Sequence, residues 1–221
     1  MKSPAAEPIP ASSPPAWERR SELGPLTAFF TTVVGVLARP RSFFEGLKPA
    51  APAGSALVFW GLATLPPLVV SGAGTHGFIE RLPALLQVDP SVITFHPPLW
   101  LFVVVLPLLQ CASLFGAVLL IHVMLALLGG AKGGLRGTLR AAGYGAAPAL
   151  ISLVPLVGGM VAGLWVGILQ YYALFWVHRC GHGRLLLAYL LPAILAVVAG
   201  LALAAALVPV LTPLVERYLP F

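Results

Sequence analysis

Residues 125–159 read LALLGGAKGGLRGTLRAAGYGAAPALISLVPLVGG. An apolar segment ends in a pair of glycines, and a short connector follows with three basic residues spaced by four, Lys132, Arg136 and Arg140. A second apolar segment begins at Tyr144 and ends in another pair of glycines. Apolar segments on either side of a short basic turn are typical of neighbouring membrane-spanning helices, because basic turns stay in the cytosol. The stretch therefore predicts a transmembrane hairpin that turns on the cytosolic face.

The composition of the whole chain agrees with this prediction. Of the 221 residues, 59% are hydrophobic and 9% are charged, and the mean hydropathy is +0.95. Soluble domains carry about 25% charged residues. Residues 90–131 and 141–178 hold no formal charge, which leaves room for one long span and two short ones. The positive charges that give the net charge of +6 flank these stretches. Their positions favour contact with anionic lipid headgroups over binding of nucleic acid.

The sequence predicts an all-α polytopic membrane protein with five transmembrane helices. Prolines inside these segments, above all the pair Pro66 and Pro67, predict kinks or a break, because proline removes a backbone hydrogen bond and clashes with the preceding turn. A separate short amphipathic helix is expected between the first two spans, over the stripe that runs from Phe78 to Leu86. The predicted spans are residues 55–73, 99–128, 142–157, 160–178 and 185–207.

The distribution of charge predicts the topology. Eleven of the 13 lysines and arginines fall on one side of a five-span arrangement, and the positive-inside rule makes that side cytosolic. The N-terminus is then cytosolic and the C-terminus extracytoplasmic. The excess of arginine over lysine and the richness in alanine, leucine and glycine indicate a bacterial protein, hence the bacterial inner membrane. Three regions follow: residues 1–23 as a disordered cytosolic tail, residues 24–48 as cytosolic amphipathic helices, and residues 49–221 as the membrane domain.

An amphipathic segment precedes the first span. Its apolar residues recur at helical spacing on one face, while threonines occupy the other. The segment is too short to cross a bilayer and ends in basic residues. It is interpreted either as an interfacial helix that lies on the membrane or as a helix packed on the cytosolic ends of the bundle, and both can hold. The residues of this candidate interfacial helix are Phe29, Phe30, Val33, Val34 and Leu37.

A small polar cluster is predicted at the start of the third span. Tyr144 and Pro148 are four residues apart and share a helix face. Pro148 leaves the carbonyl of Tyr144 without its usual helical partner, and an unpaired carbonyl in lipid costs several kcal/mol. His122 and Gln170 are the polar residues expected at the same depth in the adjoining spans. The cluster is expected to fix helix packing, with a ligand site as the lesser alternative.

Several short motifs follow one another along the chain. They are RPRSFFEGL at residues 39–47, the basic glycine-rich connector, Gly143-Tyr144, Pro148, the Pro-x-x-Gly-Gly exit at residues 155–159, and Trp165 followed by the turn at residues 178–184. Their order and spacing resemble those of the Yip1-domain membrane proteins, with the bacterial branch as the closest group. The resemblance covers residues 40–192 and implies no catalytic residues. Eukaryotic members of that family are linked to membrane traffic and to Rab-type GTPases, whereas bacterial members have no agreed activity.

A non-enzymatic function is expected. The predicted spans hold no Asp or Glu, and the sequence lacks the Gly-x-Ser-x-Gly and His-Glu-x-x-His motifs. The favoured hypothesis is a membrane-organising or adaptor protein that needs no cofactor or metal and binds membrane lipids or an unidentified membrane or cytosolic protein. The alternative is a small transporter or channel, which the proline-broken spans would suit. A row of small residues, Ala196, Gly200 and Ala204, favours close helix packing within the chain and leaves a homo-oligomer open.

Overall fold

The structure is a computed structural model that describes residues 14–87, 89, 97–154 and 157–218, without the side chains of residue 196 and of residues 207–218. All regular secondary structure in these residues is helical, which confirms the all-α prediction. A 3-10 turn, Ala16–Arg19, comes first, and eight α-helices follow. They are α1 (Arg20–Leu23), α2 (Pro25–Ala38), α3 (Pro40–Glu45), α4 (Gly54–Leu86), α5 (Leu106–Leu127), α6 (Gly134–Gly145), α7 (Gly158–His178) and α8 (His182–Tyr218).

Four of the helical segments in the described residues are long and apolar enough to cross a membrane. They are Gly54–Leu86, Leu101–Leu127, which adds a π-helical turn to the start of α5, Gly158–His178 and His182–Ala206. The chain is therefore an integral membrane protein, and four of the five predicted spans have a counterpart. Many apolar side chains of α5 and α8 point outward, among them Leu108 and Leu201, as expected of helices that face lipid.

The third predicted span is not a continuous α-helix. Helix α6 ends at Gly145, and a 3-10 helix, Ala147–Leu153, continues the chain. Pro148 lies in the first turn of this 3-10 helix and is buried. Proline suits a helix start because the N–H that it lacks would have no helical partner there. Pro155, at the predicted exit, lies outside the described residues.

Helix α4 is longer and more continuous than predicted. It runs through Pro66, Pro67 and Pro83 to Leu86, so the expected break and the separate amphipathic helix are wrong. The 33 residues at about 1.5 Å each give a length of about 50 Å, more than a bilayer core of about 30 Å. A proline removes one bond from a ladder that remains intact on both sides, and membrane helices tolerate this where neighbouring groups compensate.

One end of the bundle gathers the short helices and most of the charge. The backbone N–H of Gly133, just before α6, donates to Nδ1 of His178 at the end of α7, at 3.1 Å. Arg184, near the start of α8, donates to the carbonyl of Gly129 at 3.3 Å. Arg140 in α6 donates to the carbonyl of Pro52, just before α4, at 2.9 Å. These contacts bring the ends of α5 and α7 and the starts of α4 and α8 together, and we call this the basic end.

The row of small residues on α8 does not pack as expected. A methyl group built at Gly200 meets no other atom of the described residues within 4 Å, and Ala204 is exposed. The side chain of Ala196 is outside the description. Among the described residues, nothing packs on this face at Gly200 and Ala204, so the expected intramolecular packing is not formed at these two positions.

Candidate functional site

The chain before α2 folds back onto the basic end. We call residues 16–23 the N-terminal segment. Trp17 is buried, and its backbone N–H donates to Oγ1 of Thr32 at 2.8 Å. The indole N–H of Trp17 donates to the carbonyl of Ser55, at the start of α4, also at 2.8 Å. The prediction of a disordered tail is wrong for this segment, because one buried tryptophan with both N–H groups paired holds it in place. Residues 1–13 lie outside the description.

Glu18 of this segment meets a buried arginine. The Arg140 side chain is 1% exposed, and its Nη2 lies 2.6 Å from Oε1 of Glu18. The hydroxyl of Tyr144 donates to the same Oε1 at 2.9 Å. The carbonyl of Pro52 accepts a hydrogen bond from the second guanidinium nitrogen, Nη1, whereas Nε has no partner among the described residues. We call this arrangement the Arg140 site.

The energy of the Arg140 site depends on its pairing. Removing a guanidinium from water costs several kcal/mol, and a carboxylate in good geometry offsets that cost. Glu18 supplies the only carboxylate oxygen that the structure places on Arg140 within the described residues. The side chain of Glu18 is 18% exposed, so the pair is largely withdrawn from solvent. Loss of Glu18 would leave an uncompensated buried cation.

Aromatic rings surround the Tyr144 side of the site. The Tyr144 ring lies 5.5 Å from that of Phe43 and 5.3 Å from that of Phe59, centroid to centroid. Phe59 also lies 5.2 Å from Phe29 of α2. Within these aromatic surroundings the phenol of Tyr144 acts as a hydrogen-bond donor to Glu18.

Glycine lets α6 come close enough to α4 to build this site. A methyl group at Gly143 would lie 2.6 Å from the carbonyl oxygen of Ala56 and 3.0 Å from its Cβ. Real side chains do not approach a backbone so closely, so only glycine fits this position. The close approach brings the neighbouring Tyr144 against the start of α4.

A second polar network joins α5, α6 and α7. Thr138 Oγ1 lies 2.9 Å from Nδ1 of His122 and 2.9 Å from Nε2 of His178. Because Nδ1 of His178 accepts the N–H of Gly133, the proton of that ring lies on Nε2, which donates to Thr138. The threonine hydroxyl can then donate to His122 or to the carbonyl of Gly134, at 3.2 Å. Thr138 and His178 are both buried, so the network fixes the packing of three helices.

Helix α2 has three distinct sides. Its inner side, with Ala28, Thr32 and Val36, is buried against the bundle. The opposite surface is divided. Thr27 and Thr31 are exposed on one flank. The other flank, which we call the α2 stripe, carries apolar side chains that remain exposed: Leu26 at 73%, Phe30 at 59% and Val34 at 61%.

Comparison with known protein families agrees with this architecture. The family model of the Yip1 domain matches residues 34–204, well over half of the chain. The chain belongs to the Yip1 family. No curated protein and no solved structure gives a match. Arg140 and Tyr144 lie inside the matched Yip1 domain, whereas Trp17 and Glu18 precede it. The N-terminal segment is thus a part of this chain, outside the matched region, that completes a polar site within the Yip1 domain.

In the structure, the residues of the predicted polar cluster have partners other than those predicted. Tyr144 is fully buried, but its hydroxyl bonds to Glu18, and its carbonyl oxygen accepts the N–H of Ala146. That local bond arises because the helix changes type before Pro148. His122 bonds to Thr138 instead of Tyr144. Gln170 packs against the next residue of α6, since a methyl group at Gly145 would lie 3.1 Å from its Cγ.

The predicted interfacial helix is divided between the two interpretations. Phe29 and Leu37 pack against the core, and Val33 is buried. Phe30 and Val34 stay exposed in the α2 stripe. The helix therefore packs on the bundle and still presents an apolar edge.

Sequence reasoning missed Glu18, Arg140, Thr138 and His178 as site residues. Arg140 had one usable signal: it precedes Tyr144 by four residues and so shares its helix face. Among the described residues, no three His, Cys, Asp or Glu side chains form a group that could hold a metal ion.

Proposed function

We propose that this Yip1-family protein is a non-enzymatic, membrane-organising protein that inserts the α2 stripe into the membrane it spans. The single observation that supports this proposal is the exposed apolar edge of a helix that is itself packed on the bundle. Burying a large apolar side chain is worth roughly 1.5–3 kcal/mol, so the three exposed side chains of Leu26, Phe30 and Val34 strongly favour a lipid contact. The lipid headgroup region can provide it.

The rigid mounting of α2 supports an organising role. The N-terminal segment, α3 and the aromatic rings of the Arg140 site fix the inner side of α2. The threonine flank beside the α2 stripe would then face water. A helix held at a fixed angle to the spans can act as a wedge in one leaflet, which would link the position of the protein to membrane curvature or to a lipid or protein partner.

We infer that the chain crosses a bacterial inner membrane five times, with the basic end on the cytosolic side. Helices α5 and α7 both end at the basic end, so the chain between them has to leave that end and return. The route out is α6 and the 3-10 helix, with 12 and seven residues. At about 1.5 and 2.0 Å per residue, they cover about 32 Å, comparable with the hydrocarbon core. The C-terminus would then be extracytoplasmic.

The proposal is tested with full-length protein reconstituted into giant vesicles from which narrow membrane tubes are pulled. Wild-type protein should enrich in the tubes, and the double variant F30D/V34D should lose that enrichment. The matched control T27D/T31D adds the same charge to the other flank of α2 and should keep it. Equal behaviour of the two variants would argue against the stripe as a wedge. Solute flux through wild-type liposomes would instead favour the transporter alternative.

A further inference from the structure

A groove lies beside the junction of α2 and α3, against α7. It is a shallow, open groove with a volume of about 570 Å³. The lining combines charged, hydroxyl and aromatic groups: Arg39, Arg41, Ser42, Glu45 and Tyr172, with Ala38 and Pro40 at the turn. The groove is separate from the Arg140 site, and neither the α2 stripe nor the His122 network contributes to its lining.

The charges of the groove favour an anionic ligand. Arg39 makes no ion pair with any residue that the structure describes. Arg41 lies 3.7 Å from Glu45, but both side chains are largely exposed, and such surface pairs contribute little. Within the described residues, one arginine thus has no ion-pair partner and the other is only weakly paired. Guanidinium groups bind phosphate oxygens with two parallel hydrogen bonds, so a phosphate group matches this lining.

Arg41 is also positioned by an aromatic ring. Its guanidinium carbon lies 5.3 Å from the centre of the Trp176 ring, which is within cation–π range. Tyr172, one turn earlier on α7, is 43% exposed and lines the groove. Tyrosine and tryptophan near the end of a membrane-spanning helix mark the level of the lipid headgroups. The two arginines are therefore placed where headgroup phosphates lie.

An apolar track continues from the groove along α7. Residues at four, seven, eight and 11 positions before Tyr172 share its helix face. All four are exposed, by 41–71%, and they are Ile168, Trp165, Leu164 and Val161. Eleven residues at about 1.5 Å each give about 16 Å, roughly half the thickness of a bilayer core. The track thus has the length of one leaflet and suits an acyl chain.

We propose that the groove binds the phosphate headgroup of an anionic phospholipid whose acyl chain lies along this face of α7. Arg39 and Arg41 contact the phosphate, and the hydroxyl groups of Ser42 and Tyr172 are available to the polar part of the headgroup. The inference deepens the proposed function, since it names a lipid class, but it uses a surface distinct from the α2 stripe.

The test uses full-length, delipidated protein in mild detergent and native mass spectrometry to measure the affinity for the first bound phosphatidylglycerol and phosphatidylcholine. Wild-type protein should prefer phosphatidylglycerol, and R39Q/R41Q should lose on the order of tenfold in affinity for it. The matched control K132Q/R136Q removes two exposed charges from the same end of the bundle and should retain the preference. R39Q alone disturbs neither Trp176 nor Glu45 and should lose about half as much affinity for phosphatidylglycerol on a logarithmic scale. This single variant replaces R39Q/R41Q in the test if the double variant does not fold.

Three results would overturn the inference. The first is an unchanged affinity in R39Q/R41Q, and the second is an equal loss in K132Q/R136Q. The third is full displacement of the lipid by millimolar inorganic phosphate, which would indicate a site for a soluble phosphate. F30D/V34D should bind the first lipid like the wild type. Failure of the wedge proposal and failure of the lipid site are therefore distinguishable.

Discussion

Replacing Glu18 with alanine should release the N-terminal segment from α6. The substitution removes the carboxylate that accepts hydrogen bonds from both Arg140 and the hydroxyl of Tyr144. It leaves a guanidinium that is 1% exposed without a counter-charge. The buried cation can regain solvation only if water enters, and water enters if the segment that carries Trp17 lifts away. The variant therefore favours local opening over global unfolding.

The size of the effect follows from the burial of the pair. Breaking a buried ion pair by removing one partner costs about 3–5 kcal/mol, and the partial exposure of Glu18 puts this pair near the lower value. About 3 kcal/mol corresponds to a change on the order of 10²-fold in the opening equilibrium. E18Q should destabilise the closed segment less than E18A does, because it removes the negative charge but keeps a side-chain oxygen that accepts a hydrogen bond.

Amide hydrogen exchange in lipid nanodiscs measures this opening directly. The N–H of Trp17 is bonded to Thr32 and exchanges only when the segment opens. Its exchange should speed up in the order wild type, E18Q, E18A. The control E22A changes an exposed acid in α1 and should leave the rate unchanged. If E18A and E22A exchange alike, the pairing of Glu18 with Arg140 does not hold the N-terminal segment in place.

Three further predictions concern packing and reactivity. T138V leaves ring nitrogens of His122 and His178 without their hydrogen-bond partner. It should lower the free energy of unfolding in detergent by about 1–3 kcal/mol, whereas the exposed control T31V should leave it unchanged. G143A forces a methyl group against the Ala56 backbone and should lower the free energy of unfolding by about 1–3 kcal/mol. The control G167A places its methyl group where no other described atom lies within 4 Å and should melt like the wild type. Equal melting temperatures of G143A and G167A would contradict the close approach of α6 to α4. Burial raises the pKa of the Cys180 thiol, so in a C111S background maleimide labelling at pH 7.5 should be slow and should accelerate as the pH rises; labelling at the rate of a free thiol would contradict this.

The spans could be predicted because hydropathy is a local and additive property. Residues 99–128, 160–178 and 185–207 are long and nearly free of charge, and helices α5, α7 and α8 form there. Helix type was harder to predict. The break after Gly145 and the continuity of α4 through Pro66 and Pro67 depend on neighbouring helices, which a single segment does not reveal.

The Arg140 site could not be predicted for a different reason. Glu18 and Tyr144 are 126 residues apart, and no periodicity links them. Arg140 has the appearance of a topology signal, because it continues the spacing of Lys132 and Arg136 in the connector. The N-terminal segment has one apolar anchor, Trp17, in a region rich in proline and alanine, so its pattern resembles that of a disordered tail. The pairing of a distant acid with a buried base is visible only in three dimensions.

The insertion of the α2 stripe is tested most directly by measuring the depth of α2 in the bilayer. Nitroxide labels at cysteines placed one at a time at positions 27, 30, 31 and 34, in full-length protein that lacks Cys111 and Cys180, report contact with lipid or water by electron paramagnetic resonance. Labels at 30 and 34 should be accessible to oxygen and shielded from a water-soluble nickel reagent. Labels at 27 and 31 should show the reverse. Equal exposure of all four labels to the nickel reagent would contradict the insertion of the α2 stripe.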